Sequence, residues 1–304
     1  MKTPKTLEKN DTVGIVSTAR KISLEEIQPA IALLIRWGLN VKIGKTIGLE
    51  AHQFAGTDAQ RAADFQAMLD DDAIKAIWCA RGGYGTVRII DVLDFTKFKQ
   101  HPKWIIGYSD VTVLHNHINN LGFQSLHATM PVNVEKNTKA ALQTLKAALF
   151  GNPLRYTIQK HQLNIEGVAD GELIGGNLSM LYSQLGSKSA LHTQGKILFI
   201  EDLDEYLYHV DRMMQNLKRN GYFDGLKGLI VGSMADMNDN TIPFGKIGEE
   251  IIFDTCKHFG FPVCFGFPAG HLDDNRALVF GKTIRLIVDK EQSTVIFKDY
   301  KTAR

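Results

Sequence analysis

The chain lacks most of the features that would mark external reinforcement or a special environment. Its 304 residues contain three cysteines, Cys79, Cys256 and Cys264. They are scattered, show no metal-ligand spacing and form an odd set, which suits a reducing compartment better than a disulfide framework. A chain of this length buries an adequate core without such staples. No run of about 18 apolar residues occurs, so no membrane span is expected. The opening MKTPKTLEKNDTVGIVSTAR puts charged and polar residues where a secretory signal needs an apolar stretch. The expected location is therefore cytoplasmic. Net charge is only +2, without a dense Lys/Arg stripe. Nucleic acid is an ill-suited partner, because neutralising phosphates takes clustered positive charge. Internal repeats, low-complexity tracts and heptad arrays are also missing.

What the chain does contain is the patterning of an ordinary globular protein, 44% hydrophobic and 22% charged. Short apolar runs alternate with helical periodicity in the first half. Strands are expected at Thr12 to Ser17, Asn40 to Ile43, Ala73 to Cys79 and Trp104 to Gly107. Helices are expected at Leu24 to Trp37, Asp58 to Leu69 and Val111 to Asn120. Such alternation indicates an α/β lobe with a mostly parallel sheet covered on both faces. From about 151 to 170 the helical period disappears. Beyond it, helices near Leu178 to Leu185, Leu207 to Lys218 and Ile247 to Phe259 are interleaved with strands. Those strands are Lys196 to Ile200, Gly228 to Val231 and three short segments in the tail, Ala277 to Phe280, Thr283 to Val288 and Ser293 to Phe297. The expectation is two lobes, 1–150 and 151–304, joined near 151–170, the second smaller and richer in antiparallel strands.

The segment WIIGYSDVTVLHNHINNLG is the most informative. An apolar strand runs into Gly107-Tyr108-Ser109-Asp110 and a helix follows at once. This is the setting of a nucleophile elbow, in which a sharp strand-to-helix turn lifts a serine hydroxyl out of the sheet. The N–H of Asp110 would be one oxyanion donor there. The competing reading makes Ser109 or Asp110 a plain helix cap, and the second glycine of G-x-S-x-G is missing, with Val111 in its place. A second segment, Cys79-Ala80-Arg81-Gly82-Gly83-Tyr84-Gly85, follows another strand. Its glycines allow tight turning and close approach to a ligand, and a glycine N–H here is a candidate second oxyanion donor. A phosphate loop fits poorly, since neither G-x-x-x-x-G-K-S/T nor G-x-G-x-x-G is present. Cys79, after Ile77 and Trp78, reads as a small buried hydrophobe.

Of the ten histidines, His271 stands out, in the Gly/Pro-rich loop GFPAGHLDDNRALVFGK, the kind of segment on which functional side chains concentrate. His127, in SLHATMP, is placed in a loop near the sheet edge, where it can line a pocket. For an orienting carboxylate the strand KILFI ends in Glu201-Asp202-Leu203-Asp204-Glu205. A rigidly held carboxylate at a strand end suits fixing one histidine tautomer. The same acid cluster can instead bind Mg²⁺ or cap a helix, although no second ligand cluster accompanies it.

These segments, VGIVSTAR, ARGGYG, IIGYSDVT, GGNLSML, FIEDLDEYLYHVDRMM and PAGH, taken in this order, resemble the LD-carboxypeptidase family of serine peptidases, which includes microcin-C immunity peptidases. The resemblance spans nearly the whole chain. It implies a Ser-Glu-His triad of Ser109, Glu201 and His271 and an oxyanion hole between Gly83 and Asp110; with no zinc-type ligand spacing in the sequence, no metal or other cofactor is expected. It also implies a flavodoxin-like N-terminal lobe, a β-rich C-terminal lobe, a site in the cleft between them, and a homodimer. The substrate implied is a murein tetrapeptide, cut between the L-centre of a diamino acid and terminal D-Ala in peptidoglycan recycling. A peptidyl-nucleotide antibiotic cut by the same machinery, or a non-catalytic binding module, are the alternatives. Arg81 and Arg276 are candidates for the terminal carboxylate, each equally readable as a structural ion pair, and Asn177 for polar substrate groups or for a turn. Ala128 and Leu272 replace glycines frequent in the family, and Val279-Phe280-Gly281 lacks a proline common there. These departures bear on pocket shape.

Overall fold

The computed structural model describes residues 1–298. The first sheet is built from β1 (Thr12–Val16), β2 (Asn40–Ile43), β3 (Ile74–Cys79), β4 (Trp104–Gly107) and β5 (Ser125–His127), with α1 (Gln28–Arg36), α2 (Asp58–Asp70), α3 (Thr96–Gln100) and α4 (Thr112–Asn120) between them. These five strands are parallel in the order β2-β1-β3-β4-β5, the doubly wound arrangement of flavodoxin-like folds. β1, β3 and β4 read as nearly continuous apolar runs because helices cover both sheet faces. α1 starts later than its periodicity suggests. Ser23 and Glu26 first close a local turn through reciprocal side-chain bonds, and Pro29 then occupies the opening helical turn. Gly38, at φ +80, ends it. α2 opens on a capping box of Thr57 and Gln60.

After α5 (Lys139–Leu149) the chain enters a second sheet. It comprises β6 (Arg155–Gln159), β7 (Gly167–Asn177), β8 (Ile197–Leu203), β9 (Gly228–Ala235) and β10 (Val263–Cys264), with α6 (Leu178–Ser183), α7 (Leu207–Arg219) and α8 (Gly248–Cys256) along the way. Three strands follow, β11 (Leu278–Phe280), β12 (Thr283–Val288) and β13 (Gln292–Phe297). The order is β10-β9-β8-β7-β12-β13-β6. β7 to β10 are parallel, while β12, β13 and β6 are antiparallel. β7 holds the halves together: its start pairs with β12 and its end with β8.

Two features differ from the sequence expectation. β11 leaves the C-terminal lobe and pairs antiparallel with β5 in the first sheet. The sheets also share one apolar core, in which Trp78 and Leu126 pack in the same cluster as Phe199, Ile230 and Leu286. The lobes are therefore welded together. Among the described residues no helix is long and apolar enough to cross a membrane.

At that weld lies His127. It is not in a loop at a pocket but on β5, fully buried, with neither ring nitrogen hydrogen bonded among the described residues. Its ring is boxed in by Tyr108, His115, Phe199 and Phe280. Burial holds its pKa well below the usual value, and it lowers neighbouring His115 to about 4. Both imidazoles are thus neutral in the folded state but take up protons on unfolding once pH drops below about 6.5. Protons favour the unfolded state, so stability present at neutral pH is lost as pH falls, by roughly 2 kcal/mol at pH 5 for His115, with a loss of the same sign from His127. Urea midpoints measured between pH 7.5 and 5 should fall steeply for the wild type and less steeply for His127→Phe. Equal slopes would mean that His127 takes no part.

Candidate active site

The carboxyl ends of β1, β3 and β4 point to the same edge of the first sheet, at the place where strand order reverses, which is where open α/β sheets bind ligands. β4 ends at Gly107, where a Cβ would meet Val111 at 2.8 Å. Ser109 follows at φ +61, a left-handed conformation unusual for a non-glycine residue, and a 3-10 turn leads straight into α4. The turn is thus sharp and strained, as an elbow is. No side chain caps α4, so the cap reading of Ser109 and Asp110 does not hold. The close approach that the missing second glycine would supply comes from Gly82. A Cβ there would sit 3.2 Å from Ser109 Oγ and 3.4 Å from the Asp110 nitrogen.

The glycine loop after β3 is fixed from beneath by a buried network. Arg61, with no exposed surface, donates through Nη1 to the carbonyls of Thr18 (2.6 Å) and Gly85 (2.9 Å) and pairs with Asp58. The hydroxyls of Thr18 and Thr86 are 2.8 Å apart. The backbone N–H of Thr86 donates to Asp110 Oδ2 at 2.8 Å, so the residue after Ser109 ties the serine turn to the glycine loop. Burial raises the Asp110 pKa, opposed by its bonds from Thr86 and Gly85 and by Arg61. The Gly83 N–H has no protein acceptor among the described residues. Cys79 is fully buried, its thiol pushed up to about 12 by desolvation, far from the reactive range.

The other half of the site comes from the second sheet. β8 does not stop at Ile200 but runs on to Leu203, placing Glu201 inside the sheet with no exposed surface. Opposite it the β8–β9 register shifts, Ile200 pairing Val231 and Asp202 pairing Met234, so β9 bulges at Gly232 and Ser233. The loop carrying His271 docks on that bulge through a Ser233 N–H to Ala269 carbonyl bond of 3.0 Å. Gly270, at φ +109, must be glycine, since a Cβ would lie 2.6 Å from both Glu201 Oε2 and Ser233 Oγ. With that space open, His271 Nδ1 reaches Glu201 Oε2 at 2.7 Å. The Tyr108 ring meets the imidazole edge to face, 4.9 Å between centroids. Nε2 has no hydrogen-bond partner among the described residues, and His271 lines the same cleft of about 520 Å³ as Ser109.

The remaining acids do not converge. Asp202 accepts from Asn177 Nδ2 (2.7 Å) and from the Leu203 and Ser179 amides, Glu205 binds His209 at 2.6 Å, and Asp204 binds Asn238 at 2.8 Å. Among the described residues no group of three or more His, Cys, Asp or Glu is placed to hold a metal ion. Asn177 lines the cleft, but its amide is used by Asp202 and its Oδ1 caps α6 through the Met180 N–H. Arg81 also lines the cleft, donating to the Lys21 carbonyl at 3.2 Å and lying 3.7 Å from Glu26. Arg276 is not among the cleft's lining residues, and Asp274 takes its fork at 2.7 and 2.9 Å. Arg20 and Tyr108 are among the cleft-wall residues that the sequence reading missed. Arg20 stands just past β1, at the strand-order reversal, a place that only the fold reveals.

Burial on its own lowers the His271 pKa, but the charge of Glu201, its hydrogen bond and the charge of Asp202 together raise it above the usual value. Burial and Glu201 also push Asp202 up to about 7. Asp202 therefore bears on the imidazole as well, through its charge. In an NMR titration of ring-labelled histidine, Glu201→Gln should lower the His271 midpoint strongly, Asp202→Asn less, and Glu205→Gln hardly at all. A His271 midpoint insensitive to Glu201→Gln would contradict the geometry.

Residues 13–128 match the LD-carboxypeptidase N-terminal domain and residues 170–286 the LD-carboxypeptidase C-terminal domain. A probable murein peptide carboxypeptidase of Bacillus subtilis is 37% identical, with 91% of this chain and 89% of that protein covered. The murein tetrapeptide carboxypeptidase of Pseudomonas aeruginosa is 27% identical over 89% of this chain and 91% of its own length. Among solved structures, a muramoyltetrapeptide carboxypeptidase from Oxalobacter formigenes superposes with a TM-score of 0.86 at 24% identity, covering 96% of this chain and 100% of that one. The microcin C7 self-immunity protein gives 0.85 at 22% identity, covering 97% and 98%. The last two likenesses concern the fold alone. The domain matches and the Bacillus relative carry the assignment: the chain belongs to the LD-carboxypeptidase family and is a serine-type carboxypeptidase of the hydrolase class.

Proposed function

We propose that the protein removes terminal D-Ala from murein tetrapeptides, cutting after the L-centre of the diamino acid, through a triad of Ser109, His271 and Glu201. The observation that carries this reading is the meeting of a strained serine and a carboxylate-held histidine in one cleft. With Nδ1 committed to Glu201, Nε2 of His271 takes the Ser109 proton as the hydroxyl attacks the scissile carbonyl. The N–H groups of Gly83 and Asp110 receive the oxyanion. The imidazolium, favoured by the adjacent Glu201 carboxylate, then protonates the departing amine. Water resolves the acyl-enzyme by the same route in reverse.

The raised His271 pKa sets the sign of the pH dependence. The base is active only when neutral, so kcat/KM rises with pH through that raised midpoint. The reading places the enzyme in the cytoplasm as a homodimer, acting on peptides released from the wall for peptidoglycan recycling. Mass spectrometry of the protein incubated with an LD-tetrapeptide should show a tripeptide and free D-Ala. The isomer ending in L-Ala should be cut at least about a hundredfold more slowly, because inversion displaces the scissile carbonyl from Ser109 by roughly 1 Å. Comparable rates for the two isomers would remove the stereochemical assignment. Cleavage of a peptidyl-nucleotide with no cleavage of either tetrapeptide would replace the substrate class.

A further inference from the structure

The two faces of the cleft carry opposite charge. Arg20 and Arg81 flank the glycine loop, and Asp202, Asp204 and Glu205 stand at the end of β8. A carboxypeptidase must bind the terminal carboxylate of its substrate, which calls for a cation on the first face. Of the arginines considered so far, Arg276 is spent on Asp274 away from the cleft, and Arg81 is engaged by the Lys21 carbonyl and faces Glu26.

Arg20 differs in two ways. Its guanidinium has no hydrogen-bond or ion-pair partner among the described residues, while its backbone is tied down on every side. The Ser17 hydroxyl donates to the Arg20 carbonyl at 2.7 Å. The flanking residues are held by Lys21 N–H to the Gln53 carbonyl (2.9 Å) and Ala55 N–H to the Ala19 carbonyl (3.0 Å). The stem is placed as well. It lies over Gly83, where a Cβ would come within 2.5 Å of Cδ and 2.7 Å of Cγ and Nε. A rigid root, a guided stem and an unpaired head at the cleft describe a side chain held ready for a ligand.

We propose that Arg20 is the specificity-determining residue that binds the C-terminal carboxylate of the substrate. The proposal rests on the carboxypeptidase reading above. A guanidinium offers a planar fork that grips a carboxylate with two parallel hydrogen bonds. The terminal carboxylate is only a few bonds from the carbonyl under attack, so its clamp must stand close to the oxyanion donors. Arg20 meets that requirement, because its Nε lies against Gly83, the proposed donor from the glycine loop. Gly83 is then glycine for two reasons: its φ of +110 and the room it leaves for the clamp.

The test is the ratio of kcat/KM for an LD-tetrapeptide with a free terminal carboxylate to that for its C-terminal carboxamide. It is measured for the wild type, Arg20→Gln, Arg20→Lys and Arg81→Gln. The wild type should favour the acid. Arg20→Gln should cut the rate on the acid far more than on the amide, by roughly 10- to 100-fold, collapsing the ratio. Arg20→Lys should restore part of it, and Arg81→Gln should keep most of it. A ratio that survives Arg20→Gln, or that collapses only in Arg81→Gln, overturns the clamp and leaves the carboxypeptidase reading standing. A wild type that treats acid and amide alike, or cuts neither, overturns that reading and the clamp together.

Discussion

The hydrogen bond between His271 and Glu201 is the constraint around which the second lobe is organised. A carboxylate with no exposed surface is costly unless something compensates its charge. The compensation comes from a loop that is distant in sequence and must approach within hydrogen-bond distance. Several local features of the chain serve that approach. β8 continues past its apolar run so that Glu201 is held inside a sheet. β9 bulges opposite it, and Gly232 lets the loop carbonyl of Ala269 come close, where a Cβ would lie 2.5 Å away. Gly270 removes the last obstruction. Without any one of these, the carboxylate would be left buried and unpaired, the more expensive state.

The serine arrives from the other sheet, so the chemistry depends on how the sheets are joined. The chain itself crosses between the sheets more than once, but the joint is made rigid by packing. It is a shared apolar core, reinforced by β11 crossing back to β5 and by the seam of aromatic rings around His127. Tyr108 links the two halves most directly, since it precedes Ser109 in sequence and packs on the His271 ring in space. A loosely hinged pair of lobes would blur the alignment of serine and imidazole, and misplacement by about 1 Å is enough to suppress reaction. On the first-sheet side, the Arg61 and Asp110 network fixes the glycine loop relative to the serine turn. Both halves of the site are thus positioned by buried polar groups under loops that are themselves rich in glycine.

Much of this was legible in the sequence, for identifiable reasons. The strands of the first sheet are buried on both faces and show as apolar runs. Ser109 stood out because a strand, a turn and a helix follow one another without a break. The course of β8 was harder to read, because Glu201-Asp202 looks like the polar end of a strand and only tertiary packing shows that it is buried. Tertiary pairing also hid the course of β11 and the interior position of His127. For Arg276 the sequence left substrate clamp and ion pair open, and Asp274, two residues before it, is the acid that occupies its fork. Arg20 went unnoticed because a lone arginine after a strand carries no pattern. Its significance comes from Gly83, over sixty residues away in sequence.

The central claim is that Ser109 is the nucleophile activated by the His271–Glu201 pair. Intact-protein mass spectrometry after treatment with a fluorophosphonate, followed by peptide mapping, tests it without any assumption about the natural substrate. The account predicts a single adduct on Ser109, none on Ser109→Ala, and much slower labelling of Glu201→Gln. An adduct on another serine, Ser233 for instance, or labelling of Ser109 at the same rate in Glu201→Gln, would contradict it.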